Sequence, residues 1–223
     1  MAFTQFKFLK DVLKKYQLRL SKNNFIETPL NCPAPSALHS DIIFSLKQGL
    51  YKHSEVAICE QLIYPILKTL WIEGFLEEML LWSHTSFTVD DTLTGIPDYV
   101  FAQRTQYDSE SLETPIFVAV EAKKDNFEEG WGQCAAEMVA AQQANQNAEL
   151  TVYGVVTNGK LWEFAKIKSN LFTKNEDYID IADLDKLYSA LYFILEDCKK
   201  QLQANLLTPS FIPSAKGIHS EGI

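Results

Sequence analysis

The stretch that most restricts the architecture is IFVAVEAKK, residues 116 to 124, where five apolar residues run straight into an acid and two lysines. A continuous apolar run of this length, preceded by the polar segment RTQYDSESLET, predicts a strand buried on both faces. Such a strand sits inside a sheet with cover on either side. Its charged end is the anomaly, because a core strand accepts charge where that charge has a partner or a chemical task.

Side chains alternate along a strand, so Glu121 and Lys123 project to one side with the carbonyl of Ala122 between them. About twenty residues upstream, GIPDYVFAQ carries a second strand that opens at Asp98, and the polar connection makes the pair a hairpin with a long loop. Pairing of these strands brings two carboxylates and a lysine to one end of the sheet. Hard oxygen ligands without any nearby histidine or cysteine suit Mg²⁺ or Mn²⁺ better than zinc.

The remaining segments supply the cover. Residues 4 to 20 have helical spacing, with Phe6, Phe8, Leu9, Leu13, Tyr16 and Leu20 on an apolar stripe and Lys7, Lys10, Lys14 and Lys15 on a solvated outer face. Residues 21 to 40 hold three of the eight prolines and read as a linker or irregular loop, so that 1–53 forms an N-terminal helix and linker ahead of the main domain at 54–204. A helix at 54 to 71 is opened by Ser54 and carries Pro65, which removes one intrahelical hydrogen bond and kinks or divides it. Residues 75 to 89 suggest a strand or two, with a turn near Ser83 to Thr85. A helix covers 127 to 146, and the strands ELTVYGVVT and KLWEFAKIK follow, joined at Asn158-Gly159, the strongest hairpin signal in the chain. An amphipathic helix at 182 to 203 and a frayed tail at 205–223 complete the reading.

The order helix, three strands, helix, two strands, helix predicts an α/β sandwich with a central mixed sheet and helices on both sides. It lacks the regular alternation of a dinucleotide-binding domain, and GWGQ has neither the strand nor the spacing of a phosphate loop. At 223 residues and 47% hydrophobic, the chain can bury one good core. A net charge of -9 excludes a polycation that coats DNA or an anionic membrane, so nucleic-acid contact would need a local basic patch, metal ions or a partner. The four cysteines show no CxxC pair and no histidine at ligand spacing, which fits reduced thiols in a cytoplasmic protein. The N-terminus has no signal-peptide pattern, and no window reaches the length of a membrane span.

Pro97-Asp98, 22 intervening residues and then Glu121-Ala122-Lys123 resemble the signature of the PD-(D/E)XK nuclease superfamily, the restriction-endonuclease-like fold. The surrounding order of helix, strand, strand, strand, helix, strand (αβββαβ) is that of the superfamily core. The hairpin YGVVTNGKLWEF is similar to the segment that follows in the N-terminal nuclease domains of type I restriction subunits and in stand-alone bacterial relatives. The likeness spans about residues 54 to 168.

What the resemblance implies is a Mg²⁺-dependent nuclease cutting DNA to leave 5′-phosphates. Asp98, Glu121 and the Ala122 carbonyl would hold one or two ions, with Glu55, or less favourably Glu60, contributing from the first core helix. Lys123 would orient or deprotonate the attacking water and stabilise charge on the phosphorane. Gln133, on the helix after the lysine, would position water, lysine or phosphate. A lysine beside a metal is expected to have its pKa pushed down.

Several residues also have plainer readings. Glu128 and Glu129 occupy the first turn of a helix, where acids answer the dipole. Glu73, Glu77 and Glu78 are expected at the surface, and Glu137 either supports the site or faces solvent. Trp131 reads as a core residue before a base-stacking one, and Lys160, Lys166 and Lys168 as a solvated face before a phosphate track. For the whole chain the alternatives are a nucleic-acid-binding or assembly subunit of the same fold that is silent or licensed by a partner, and an unrelated α/β binding protein. Homodimerisation through the 182–203 helix would suit two-strand cleavage, although packing on the core predicts the same apolar stripe.

Overall fold

The computed structural model describes residues 3–26, 32–107 and 110–207. A 3-10 turn at Phe3–Gln5 leads to α1 (Leu9–Lys15), β1 (Arg19–Lys22) and α2 (Ser36–Gln48). A second 3-10 turn at Leu50–Lys52 precedes α3 (Glu55–Ile58), a π turn at Cys59–Ile63, and α4 (Tyr64–Gly74). Strands β2 (Met79–Ser83), β3 (Phe87–Thr88), β4 (Thr94–Gly95), β5 (Tyr99–Gln103) and β6 (Ile116–Ala122) come next. After α5 (Phe127–Asn145) the chain forms β7 (Val152–Thr157), β8 (Leu161–Lys168), β9 (Leu171–Lys174), β10 (Ile179–Asp180) and α6 (Leu184–Leu207).

The architecture is mixed α/β, with a central mixed sheet flanked by helices. Its strand order is β1-β9-β8-β7-β6-β5-β2, with β10 beside β8, while β3 and β4 form a small separate hairpin. The pairs β6 with β7 and β1 with β9 are parallel, and the other pairs are antiparallel. β6 is buried along its whole length, as its apolar run requires. On one face Phe117, Val120 and Phe164 pack with Leu62 and Ile66 of the π turn and α4 and with Leu191 and Ile194 of α6. On the other, Ala119, Val156 and Ala165 meet Trp131, Cys134 and Met138 of α5 together with Phe6 and Val12. Each large side chain removed from water in these layers contributes about 1.5–3 kcal/mol.

Pro65 divides its helix as expected. A proline lacks the amide that would bond to the carbonyl four residues back, and the π turn widens the hydrogen-bonded ring at that point. The Asn158-Gly159 turn also forms, with Gly159 at φ 80 and Asn158 Oδ1 accepting from the amides of Lys160 (3.0 Å) and Leu161 (2.8 Å).

The N-terminal region differs from the expectation. The helix expected over 4–20 is confined to Leu9–Lys15, and Arg19–Lys22 instead adds an edge strand to the sheet by pairing with β9. The segment expected as linker contains α2, which follows Pro35 and buries Leu38 and Ile42. Strands β9 and β10 are additions that the sequence reading lacks. The tail expected at 205–223 lies almost wholly outside the described residues. Among the described residues no helix is long and apolar enough to cross a membrane.

Candidate active site

The antiparallel register sets Tyr99 opposite Val120, so Asp98, one residue before β5, arrives beside Glu121 at the end of β6. Asp98 Oδ2 accepts a 2.7 Å hydrogen bond from the Ala122 amide, which fixes the carboxylate against that strand. Its Oδ1 lies 3.3 Å from His84 Nε2, and its carbonyl accepts from the His84 amide at 2.9 Å. His84 holds φ at 49, left-handed backbone that a non-glycine residue adopts at a cost on the order of 1 kcal/mol. Burial raises the Asp98 carboxyl above its ordinary value, opposed by the Ala122 amide, His84 and Lys123.

Glu121 and Lys123 emerge on the side facing α5. Lys123 Nζ lies 2.6 Å from Glu121 Oε1, while Glu121 Oε2 is buried with no hydrogen-bond partner. Burial first, and the neighbouring Asp98 second, push the Glu121 carboxyl up to about 8. The lysine is pulled both ways. Burial lowers its pKa, and Glu121, Glu55 and Asp98 more than offset that, so the ammonium is held above its usual value. The depression expected for this lysine belongs to a bound cation's charge, an influence separate from these acids.

The first turns of α5 leave room for this lysine. A Cβ on Gly130 would stand 3.0 Å from Lys123 Cγ and 2.7 Å from Val156 Cγ1. Asn126 caps the helix by accepting from the Glu129 amide at 3.1 Å, and Glu129 pairs with Lys7, so the acids of the first turn serve helix and surface rather than the site. Further along the same stripe, Gln133 and Glu137 are both buried. Glu137 faces Glu121 and Gln133, yet neither of its oxygens has a hydrogen bond of good geometry. Burial and the charge of Glu121 and Asp98 hold its carboxyl well above the ordinary range.

Glu55 stands at the start of α3, behind the Ser54 cap that accepts from the Ala57 amide at 3.0 Å. Its side chain is exposed and Oε1 accepts from the Lys124 amide at 3.1 Å, so it closes over the end of β6. Asp98, Glu121 and Lys123 therefore meet as expected, and Glu55 joins them through the backbone of Lys124. Gln133 is buried beside Glu137 instead of on Lys123 or a solvent-facing edge. Glu60, the alternative to Glu55, is exposed on the π turn.

Of the two expectations for Glu137, support or surface, the surface one fails, because the residue is buried behind Glu121. The expectation that no histidine or cysteine stands near the acids is corrected by the fold, which brings Cys59 and His84 to Asp98 from distant segments with no ligand spacing to announce them. Among the described residues, the group of three acid, histidine or cysteine side chains whose donor atoms all lie within 4.8 Å of one another is Cys59, His84 and Asp98, not Asp98, Glu121 and Glu55. Burial and the nearby carboxylates, Asp98 foremost, push the Cys59 thiol up to about 12.

The donor chemistry nevertheless fits a hard divalent cation at Asp98 and Glu121. Glu121 Oε2 is buried without a hydrogen bond of good geometry, and two buried carboxyls with half-buried Asp98 share the local charge of one lysine. Mg²⁺ keeps several waters and uses one or two carboxylates, so this pair is an adequate anchor.

The other candidates are occupied elsewhere. Trp131 is buried, donates its indole N–H to Glu163 and lies under the Lys174 ammonium. Lys160 sits over the Tyr51 ring, Lys166 over Phe25, and Lys168 beside Glu149, so this stripe answers local partners. A scan against protein-family models and a search of curated proteins both find nothing that matches this chain.

Proposed function

We propose that this chain is a Mg²⁺-dependent nuclease of restriction-endonuclease-like fold that hydrolyses DNA phosphodiester bonds, with Mn²⁺ as a substitute ion. The observation that carries the reading is Glu121, buried, with one oxygen on Lys123, the other without a partner, and Asp98 beside it. The succession of α3 and α4, then antiparallel β2, β5 and β6, then α5, then β7 parallel to β6 supports the fold assignment.

Asp98, Glu121, the Ala122 carbonyl and Glu55 would hold the cation. When bound, it supplies positive charge to phosphate oxygens and acidifies a coordinated water. Lys123, 2.6 Å from Glu121, would orient or deprotonate the attacking water and stabilise negative charge on the phosphorane. Glu137, buried behind Glu121 with its carboxyl held well above the ordinary range, can retain a proton there. Gln133, buried beside Glu137, would act on the reaction through that neighbour.

Purified protein and Lys123→Ala, incubated with linear, supercoiled and single-stranded DNA and Mg²⁺ or Mn²⁺, test this directly. Cleavage by the first that disappears in the second and in excess chelator is the expected result. Metal-independent binding, or no effect of either protein, overturns it.

The net charge of -9 favours a second reading, in which the same fold and residues act as a nucleic-acid-binding or assembly subunit licensed by a partner. Cleavage that appears only on addition of a host-cell extract, and still requires Lys123, marks that case.

A further inference from the structure

We propose that Cys59, His84 and Asp98 form a binding site for a borderline-soft transition-metal ion such as Zn²⁺, in addition to the Mg²⁺ site and sharing only Asp98 with it.

Three separate elements deliver the donors. Cys59 opens the π turn, the kind of helical irregularity that recurs at functional sites. His84 occupies the left-handed turn after β2, and Asp98 immediately precedes β5. All three donor atoms lie within 4.8 Å of one another. The separation of His84 Nε2 from Asp98 Oδ1 is 3.3 Å. Two ligands at zinc bond lengths and a tetrahedral angle stand about 3.4 Å apart.

The supporting contacts are those a metal site needs. Ser83 Oγ lies 2.9 Å from His84 Nδ1 and engages that nitrogen, which leaves Nε2 turned to Asp98. Asp98 is itself held by the Ala122 amide at 2.7 Å, and the His84 amide ties the turn to the Asp98 carbonyl at 2.9 Å. Thiolate, imidazole and carboxylate together select Zn²⁺ or Co²⁺ over Mg²⁺. Cys59 is buried and Asp98 half-buried, while the His84 side chain is 47% exposed, so a fourth position opens to solvent on the histidine side.

Because Asp98 belongs to both donor sets, the two ions compete for it, and Mg²⁺ adds less to the melting temperature of the Zn²⁺-loaded protein than to that of the metal-free protein.

The first test titrates Co²⁺ into chelator-treated full-length protein and reads the near-ultraviolet thiolate-to-cobalt charge-transfer band. The expected result is a band that saturates at one ion per chain, disappears in Cys59→Ser, and weakens at least about tenfold in affinity in His84→Ala. Circular dichroism confirms that both variants remain folded, and Cys32→Ser, with its thiol away from the cluster, keeps the band. Absence of a band in wild type, or its survival in Cys59→Ser, overturns the proposal. Lys123→Ala separates this from the nuclease reading: it abolishes cleavage if that reading holds, and it retains the cobalt band whether or not the protein cuts DNA.

Discussion

Glu121 and Glu137 face each other from β6 and α5, and neither Glu121 Oε2 nor either Glu137 oxygen has a hydrogen bond of good geometry. The Lys123 ammonium on Glu121 Oε1 offsets one negative charge, so without a second cation the pair favours keeping a proton.

That relationship makes stability depend on pH. Burial raises Glu121 from 4.5 to about 8, and Glu137 moves in the same direction. Between those values the folded protein keeps a proton that the unfolded chain has released, so stability falls as pH rises. In chelator the melting temperature should drop from about pH 5 to about pH 8, and the Glu121→Gln, Glu137→Gln pair should flatten the slope. A melting temperature that rises across this interval contradicts the proposed protonation.

Divalent ions should act through Asp98. At roughly one hundred times its dissociation constant, Mg²⁺ should stabilise the folded chain by about 2.7 kcal/mol. Asp98→Asn retains an oxygen to accept from the Ala122 amide but loses the charge, so calorimetry should show a folded protein with no Mg²⁺ shift. A shift that persists assigns the ion to other residues.

Gly130→Ala provides a test of sign. In an open helix the change stabilises by about 0.5–1 kcal/mol. Here the new Cβ would sit 2.7 Å from Val156 Cγ1 and 3.0 Å from Lys123 Cγ, so overpacking should reverse the effect to a loss of about 1–3 kcal/mol and displace the lysine. Denaturant midpoints check the first part, and cleavage rates check the second.

Asn158→Ala should remove two side-chain hydrogen bonds to the turn amides of Lys160 and Leu161 and cost about 1–2 kcal/mol in urea unfolding. Because that turn lies outside the acidic cluster, metal shifts should be unchanged.

The features legible in the sequence were those that local chemistry dictates. The apolar run before Glu121 could only be a central strand, the Asn158-Gly159 pair could only turn, and Pro65 had to interrupt its helix. Alternation along β6 then put Glu121 and Lys123 on one side. The illegible features depend on partners distant in the chain. Arg19–Lys22 has no strand signature and becomes a strand by pairing with β9, while the prolines before Ser36 hide a helix whose apolar spacing starts at Leu38. Glu137 looks like an exposed helical position one turn from Gln133, and only the placement of α5 across β6 and β7 buries it. Cys59, His84 and Asp98 share no motif because three elements have to converge before they meet.

The π turn at Cys59–Ile63 spans five residues just ahead of Pro65. Deleting one residue there would rotate α3 by about 100° relative to α4. The core stripe of Ile66, Leu67 and Leu70 would stay in register, while Glu55 would swing away from Lys124. The helix is thus keyed twice, once to the hydrophobic layer through Ile58 and Ile66 and once to the end of the sheet through Glu55, and a one-residue change of length disturbs both at α3 while leaving α4 seated.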